Sequence, residues 1–175
     1  MTNVVRFPIE QRLISSYEVM VDLAPDYREV SLMAERWDLG LPDVEYRQEI
    51  ERMMVDEIDR ISPENGLVGR RTQLNAMRAS AIAAAIRASS EARDAVADCQ
   101  RADEVARMAE ARAEVNAYPL RCRADKIERQ AAVALLEAYQ RCEAACAVSR
   151  VVGLSLTGRT WHPDPAAGLS DWLCG

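Results

Sequence analysis

The chain has 175 residues, of which 49% are apolar and 29% charged, a composition typical of a folded chain with a buried core. Alanine supplies 28 residues and the aromatic residues only nine, so closely packed helices are favoured over a β-sandwich. The net charge is −6, and the single histidine, His162, excludes within one chain both a three-histidine zinc site and a di-iron bundle with two Glu-x-x-His pairs.

The first 65 residues predict an acidic N-terminal region made of short helices. Prolines at positions 8, 25, 42 and 63 divide it, because proline is tolerated at the start of a helix but not inside it. Asp26 is expected to cap the second helix together with Glu29, and Gly40 is expected to end it. Between the prolines apolar residues recur every three or four positions, which predicts a helix after Pro8, one over residues 27–37 and one over residues 44–61.

Residues 66–152 predict a long helical hairpin. No proline or glycine occurs between Gly69 and Pro119, and 16 of the residues from 66 to 118 are alanine. A single helix of that length would extend about 75 Å. Its large apolar residues do not share one face, so two interpretations are open: a break near residues 88–91, or one continuous helix whose packing partner changes. The turn is expected at Pro119, followed by a second helix with a clear apolar stripe that ends before Gly153.

Residues 153–175 predict an irregular tail rich in glycine and proline. It carries Trp161 and Trp172, and because tryptophan is enriched at interface hot spots, both are candidate anchors for a protein partner. The alternative is that the tail folds back and its indoles cover the hairpin of the same chain. His162 lies beside Pro163, and we expect a surface loop residue there, not a catalytic base.

The cysteines are the candidates for metal or redox chemistry. Cys142 and Cys146 are four residues apart on one helix, and a turn at Pro119 would bring Cys99 within about one helical turn of them. A three-cysteine site would still lack a fourth ligand, and cysteine is often buried as a small apolar residue. We therefore expect packed thiols and no cofactor, with a metal or redox sensor as an alternative.

The predicted helices over residues 27–37 and 44–61 can be drawn as a helix-turn-helix. Its second helix would present Tyr46, Arg47 and Gln48 to the bases of DNA. Six acidic residues on that helix would repel the phosphates, and the six-residue connection is longer than the usual three or four. Nucleic acid is therefore a possible but disfavoured partner.

A basic stretch opens the predicted hairpin. Between residues 66 and 90 there are no acidic residues and four arginines, Arg70, Arg71, Arg78 and Arg87. These side chains could contact a phosphate backbone or anionic lipid. We expect instead that this stretch packs against the acidic helix at residues 45–59, which would account for the charge of −8 in residues 1–65 and of +2 in residues 66–175.

These patterns predict an all-α fold: an acidic helical region over residues 1–65, a long Ala-rich, coiled-coil-like antiparallel hairpin over residues 66–152, and a tail over residues 153–175. An alanine-lined helix buries little apolar surface, so the hairpin is expected to need a further partner surface. The expected function is a non-enzymatic scaffold or adaptor that oligomerises through the hairpin and docks a protein through its tail. A nucleic-acid-associated regulatory or packaging protein is the main alternative. With no apolar run of membrane-spanning length and no signal-like N-terminus, the chain is expected to be cytoplasmic, and we take it to be bacterial.

Overall fold

The structure is a computed structural model and describes residues 24–61 and 66–162. Within these ranges the chain forms four helices and no strand, which confirms the all-α prediction. The predicted helix after Pro8 and the predicted anchor Trp172 lie outside the described residues. The helices are α1 (Tyr27–Arg36), α2 (Val44–Arg60), α3 (Gly66–Ala111) and α4 (Ala117–Leu156).

The two short helices begin at aspartate caps. The Asp26 carboxylate accepts a hydrogen bond from the backbone N–H of Arg28 at 2.9 Å, and Asp43 caps α2 in the same way. The prediction that α1 ends at Gly40 is wrong. Asp38 adopts the left-handed conformation (φ 54°), and Leu39 donates its backbone N–H to the carbonyl of Ala34 at 2.8 Å. Aspartate tolerates this conformation better than most residues, so no glycine is needed to close the helix.

Helix α3 is continuous over 46 residues, without a break near residues 88–91. The hairpin turn comes earlier than predicted, because Ala113 adopts a left-handed conformation (φ 51°) and Glu114 donates its backbone N–H to the carbonyl of Ala109 at 3.0 Å. Pro119 is the third residue of α4. Proline is tolerated there because the first N–H groups of a helix have no partner within that helix.

The two long helices pack through small side chains, and we call this line of contact the alanine seam. Its register follows from Ser89 Oγ, which lies 3.6 Å from Cys142 Sγ, and from Glu110, which accepts a hydrogen bond from Arg121. Small side chains let two helix axes approach closely. The most buried alanines of the seam, each at most 4% exposed, are Ala85, Ala92, Ala106 and Ala109 on α3, and Ala124, Ala131, Ala138 and Ala145 on α4.

Helices α1 and α2 cover the half of the hairpin that is remote from the turn. Val30 of α1 packs against Leu135 and Tyr139. Ile58 of α2 packs with Leu74, and the same cluster includes valines near the end of α4. The helix that packs beside α3 therefore changes along one continuous helix, as the second of our two interpretations held. Helix α4 also continues through residue 153 to Leu156, so the predicted tail begins four residues too early.

Candidate functional site

The structure does not assemble the three candidate cysteines. Residues at the same level of the hairpin have numbers that sum to about 231, as Ser89 and Cys142 do. Cys99 therefore lies opposite residue 132, about ten residues or ~15 Å along the axis from Cys142. The earlier turn is the reason, since it raises the offset between Cys99 and Cys142 from about three residues, as expected with a turn at Pro119, to about ten. No group of three or more His, Cys, Asp or Glu side chains in the described residues could hold a metal ion.

The two thiols on α4 are buried in the core of the hairpin. Cys142 is 6% exposed and faces Ser89, and Cys146 donates its S–H to the carbonyl of Cys142 at 2.8 Å. Burial raises the pKa of both thiols above the usual cysteine value. The thiolate is the reactive and metal-binding form of cysteine, and burial disfavours that form at both positions.

A buried carboxylate joins α2, α4 and the segment after α4. Glu51 is 1% exposed, and its Oε1 lies 3.3 Å from Nη1 of Arg150 and 3.9 Å from Nε of Arg47. Its Oε2 accepts a hydrogen bond of 2.9 Å from the indole of Trp161. Two cations and an indole N–H thus offset the desolvation of this carboxylate. In the sequence Glu51 looks like its exposed neighbour Glu49, and no local pattern distinguishes the two.

A second carboxylate lies close to the same arginine. Glu143 is 6% exposed, and burial raises its pKa above the ordinary glutamate value, while the nearby guanidinium of Arg47 opposes that shift. Burial likewise raises the pKa of the Tyr139 hydroxyl, whose ring lies 5.8 Å from that of Tyr27. Arg47 therefore interacts electrostatically with two buried carboxylates, those of Glu51 and Glu143.

The structure places two of the three predicted base-contacting residues, Tyr46 and Arg47, away from the exposed face of α2. The side chain of Arg47 is only 11% exposed and points to Glu51 in the interior, and Tyr46 is half-buried. The exposed face of α2 is acidic at Asp56, Glu57 and Asp59. A base-reading surface requires exposed donors, and neither Tyr46 nor Arg47 is one, while Arg52 and Arg60 lie exposed beside the acidic residues.

The basic stretch of α3 contacts the acidic helix through Leu74, which packs with Ile58. Helix α2 packs mainly against α4. In the part of the chain that the structure describes, no ion pair joins Arg70, Arg71 or Arg87 to a carboxylate. Arg78 is half-buried, and its guanidinium donates to the side chain of Asn75 at 3.3 Å. Arg71 and Arg87 are exposed to solvent.

Trp161 lies as the second alternative for the tail predicts, folded back onto the hairpin of its own chain. Its indole packs with Ile58, Leu74 and the valines of the same cluster while it donates to Glu51. The indole is partly buried against that cluster, and the rest of its surface is exposed. His162, the next residue, is exposed, and its ring nitrogen lies 3.1 Å from the hydroxyl of Thr160.

A groove that the sequence analysis missed runs between α3 and α4 toward the turn. It has a volume of about 440 Å³, and its lining residues all come from these two helices. Val105 lies in it and is 50% exposed. At 100° per residue this face of α3 lies opposite the face of Val96, which packs toward α1. The lining residues are Asp98, Arg101, Ala102, Val105, Leu120, Arg123, Ile127 and Gln130. The sequence did contain a sign of this groove. Val105 lies off the face of the alanine seam, and this position made the apolar stripe of α3 look weak.

Comparison of the chain with protein-family models, with curated proteins and with solved structures found no match. No helix in residues 24–61 and 66–162 combines the length and the hydropathy needed to cross a bilayer.

Proposed function

We propose that the chain is a non-enzymatic helical interaction protein that associates with a second copy of itself through the groove lined by Val105 and Ile127. The observation that carries this proposal is that half of the Val105 side chain is exposed in a groove whose lining comes from α3 and α4 alone. A cytoplasmic location belongs to the same proposal, because the four cysteines among the described residues are free thiols.

The construction of the hairpin supports this proposal. Near the turn α3 and α4 contact each other through the alanine seam, and alanine buries much less apolar area than leucine at ~25 cal/mol per Å². The large apolar side chains in this part of the chain point away from the seam, as the exposure of Val105 and Met108 shows. A second copy on this face would bury them.

The solution mass of the full chain tests the proposal. We expect a dimer in light scattering, and the substitution Val105→Asp should convert it to a monomer, because it places a charge in the apolar centre of the groove. Leu32→Asp is the matched control, since Leu32 is 58% exposed on α1 and lies away from the groove. Circular dichroism checks that both variants keep the helix content of the parent. A parent chain that stays monomeric at every concentration overturns the proposal, and so does an equal effect of both variants.

One observation favours a second candidate function, contact with a phosphate backbone. Arg70, Arg71 and Arg87 form no ion pair with a carboxylate in the described residues, and they lie in a segment without acids. A nucleic-acid partner would bind with an affinity that falls steeply as salt increases. Filter binding of duplex DNA and of RNA at about 50 to 200 mM salt measures this salt dependence. Arg71→Glu should abolish such binding, and undetectable binding at the lowest salt removes this candidate.

A further inference from the structure

Asp98, which lines the groove, and Arg112, just beyond the groove toward the turn, form a charge arrangement that is complementary to itself. Arg101, between Asp98 and Val105, pairs with Asp98. Asp98 precedes Val105 by seven residues and Arg112 follows it by seven, so all three lie on one side of the helix. Arg112 keeps the helical position, because its backbone N–H donates to the carbonyl of Met108 at 3.1 Å. The side chains of Asp98 and Arg112 are 62% and 70% exposed. An acid and a base therefore flank an apolar centre at equal distances of about 10 Å.

This symmetry determines how a second copy would dock. A two-fold axis in the interface and perpendicular to α3 at Val105 places the two α3 helices antiparallel, with Val105 against Val105. Residues seven positions before the axis then face residues seven positions after it. Each Asp98 meets an Arg112 of the other copy, so that both ends of the contact are attractive.

The parallel alternative lacks this complementarity. With the two-fold axis along the hairpin, each residue of α3 faces a residue of α4 at its own level. Asp98 would then face residue 133, which is valine, and Arg112 would face residue 119, which is proline. Neither Asp98 nor Arg112 would then face an opposite charge of the other copy at its own level, whereas the antiparallel arrangement pairs both.

Local ion pairs at the two positions do not prevent this exchange. Asp98 pairs with Arg101 on the same helix, and Arg112 lies 3.7 Å from Glu114. Exposed pairs of this kind contribute between zero and about 1 kcal/mol, so they can rearrange at little cost when another copy approaches.

We infer that two copies of this chain associate in an antiparallel, two-fold arrangement with Val105 on the axis and Asp98 of each copy paired with Arg112 of the other. The inference rests on the proposed function, because it specifies how the same groove is occupied. The occupant is a second copy of the chain, and its own terminal segments or an unrelated protein are the competing occupants that the test distinguishes.

Charge reversal on the full chain tests the pairing. Asp98→Arg and Arg112→Glu should each raise the dimer dissociation constant tenfold or more in sedimentation equilibrium, because each places like charges together at both ends. The double variant D98R/R112E exchanges the two charges and should restore the dissociation constant to within about threefold of the parent, as expected of two directly coupled residues. Asp56→Arg is the matched control on the exposed face of α2, and it should leave dimerisation within about twofold of the parent.

A cross-link tests the position of the axis. A residue on a two-fold axis meets its own copy, so Val105→Cys should form a disulfide-linked dimer on mild oxidation. The background for this experiment replaces Cys99, Cys122 and Cys174 by serine. Ile86→Cys is the control, because Ile86 is 38% exposed but lies 19 residues from the axis, and it should stay a monomer in non-reducing electrophoresis.

The outcomes separate the two proposals. A monomeric parent chain overturns the proposed function, and the arrangement with it. If Val105→Asp disrupts the dimer but D98R/R112E dimerises no more tightly than the single charge reversals, the antiparallel pairing is overturned. Association through the groove then stays in place. A Val105→Cys variant that does not cross-link although the parent is a dimer also overturns the axis.

Discussion

Glu51 is the residue whose environment differs most from what the neighbouring sequence predicts. Its carboxylate is 1% exposed and receives Arg150, Arg47 and the indole of Trp161. These contacts tie α2 to α4 and hold the first residues after α4 against the core. Glu49, two residues away on the outer face of α2, pairs with Arg52 on its own helix.

We expect Glu51→Gln to lower the free energy of unfolding by about 3 kcal/mol, because a buried ion pair that loses one partner leaves the other charge uncompensated. Urea denaturation measures this loss. Glu49→Gln is the matched control, because that carboxylate is 57% exposed, and its effect should stay within about 0.5 kcal/mol. Equal effects of the two substitutions would show that the Glu51 contacts do not stabilise the fold.

Glu143 should make stability depend on pH. Burial raises its pKa in the folded chain, so the folded state holds this proton more tightly than the unfolded state does. The free energy of unfolding therefore falls as the pH rises from the ordinary glutamate range, about 4.3, through the folded pKa. Glu143→Gln removes the free-energy cost of burying the ionised carboxylate, while Arg47 keeps Glu51 as its partner.

The expected result is that Glu143→Gln unfolds at higher urea than the parent at pH 7, and that the difference disappears as the pH is lowered through 4. Urea titrations between pH 4 and 8 measure it. The control is Glu137→Gln, because the side chain of Glu137 is 61% exposed. A variant that is less stable than the parent at pH 7 would mean that the electrostatic attraction of Arg47 for Glu143 outweighs the desolvation of the carboxylate.

At the scale of the elements, the alanine seam decides how closely α3 and α4 approach. Ala138 is fully buried in it, so Ala138→Leu should force the helices apart and lower the free energy of unfolding by about 1–3 kcal/mol. Ala79→Leu is the matched control on the exposed side of α3, where the added side chain meets solvent. Thermal and urea unfolding compare the two. An Ala138→Leu variant as stable as its control would show that the seam tolerates larger residues and that its alanines do not set the spacing.

The sequence predicted the elements better than it predicted their alignment. The stretch without proline and glycine gave the long helix, and proline positions separated α1 from α2. The turn was misplaced because it depends on Ala113 in a left-handed conformation, which glycine or asparagine would have signalled and alanine does not. The stripe of α3 looked weak because its buried face is made of alanine, whose low hydrophobicity hardly registers in a periodic pattern. The burial of Glu51 depends on Arg150, 99 residues away, so no local pattern could show it.

At the scale of the whole molecule, the hairpin is unequally supported along its length. The clusters of α1 and α2 cover it from Leu74 to Val96 on α3. The last contacts of α1 toward the turn are the ion pair of Arg36 with Glu128 at 2.9 Å and the stacking of Arg129 on Trp37. Beyond that level, within the described residues, α3 and α4 pack against each other without α1 or α2. They do so through the alanine seam and through the hydrogen bonds that Arg121 donates to Glu110 and Asp103.

Hydrogen exchange should reveal this inequality and its dependence on concentration. In dilute protein, amides of residues 104–111 and 117–127 should exchange faster than those of residues 81–92 and 138–148, because fewer buried apolar contacts must break to open them. If a second copy covers the groove, raising the protein concentration should slow exchange near the turn and leave the other half unchanged. Val105→Asp supplies the control, since it should keep fast exchange near the turn at every concentration. Uniform protection of the whole hairpin in dilute protein would mean that the two-helix part is stable by itself, and the physical reason for a partner on that face would be lost.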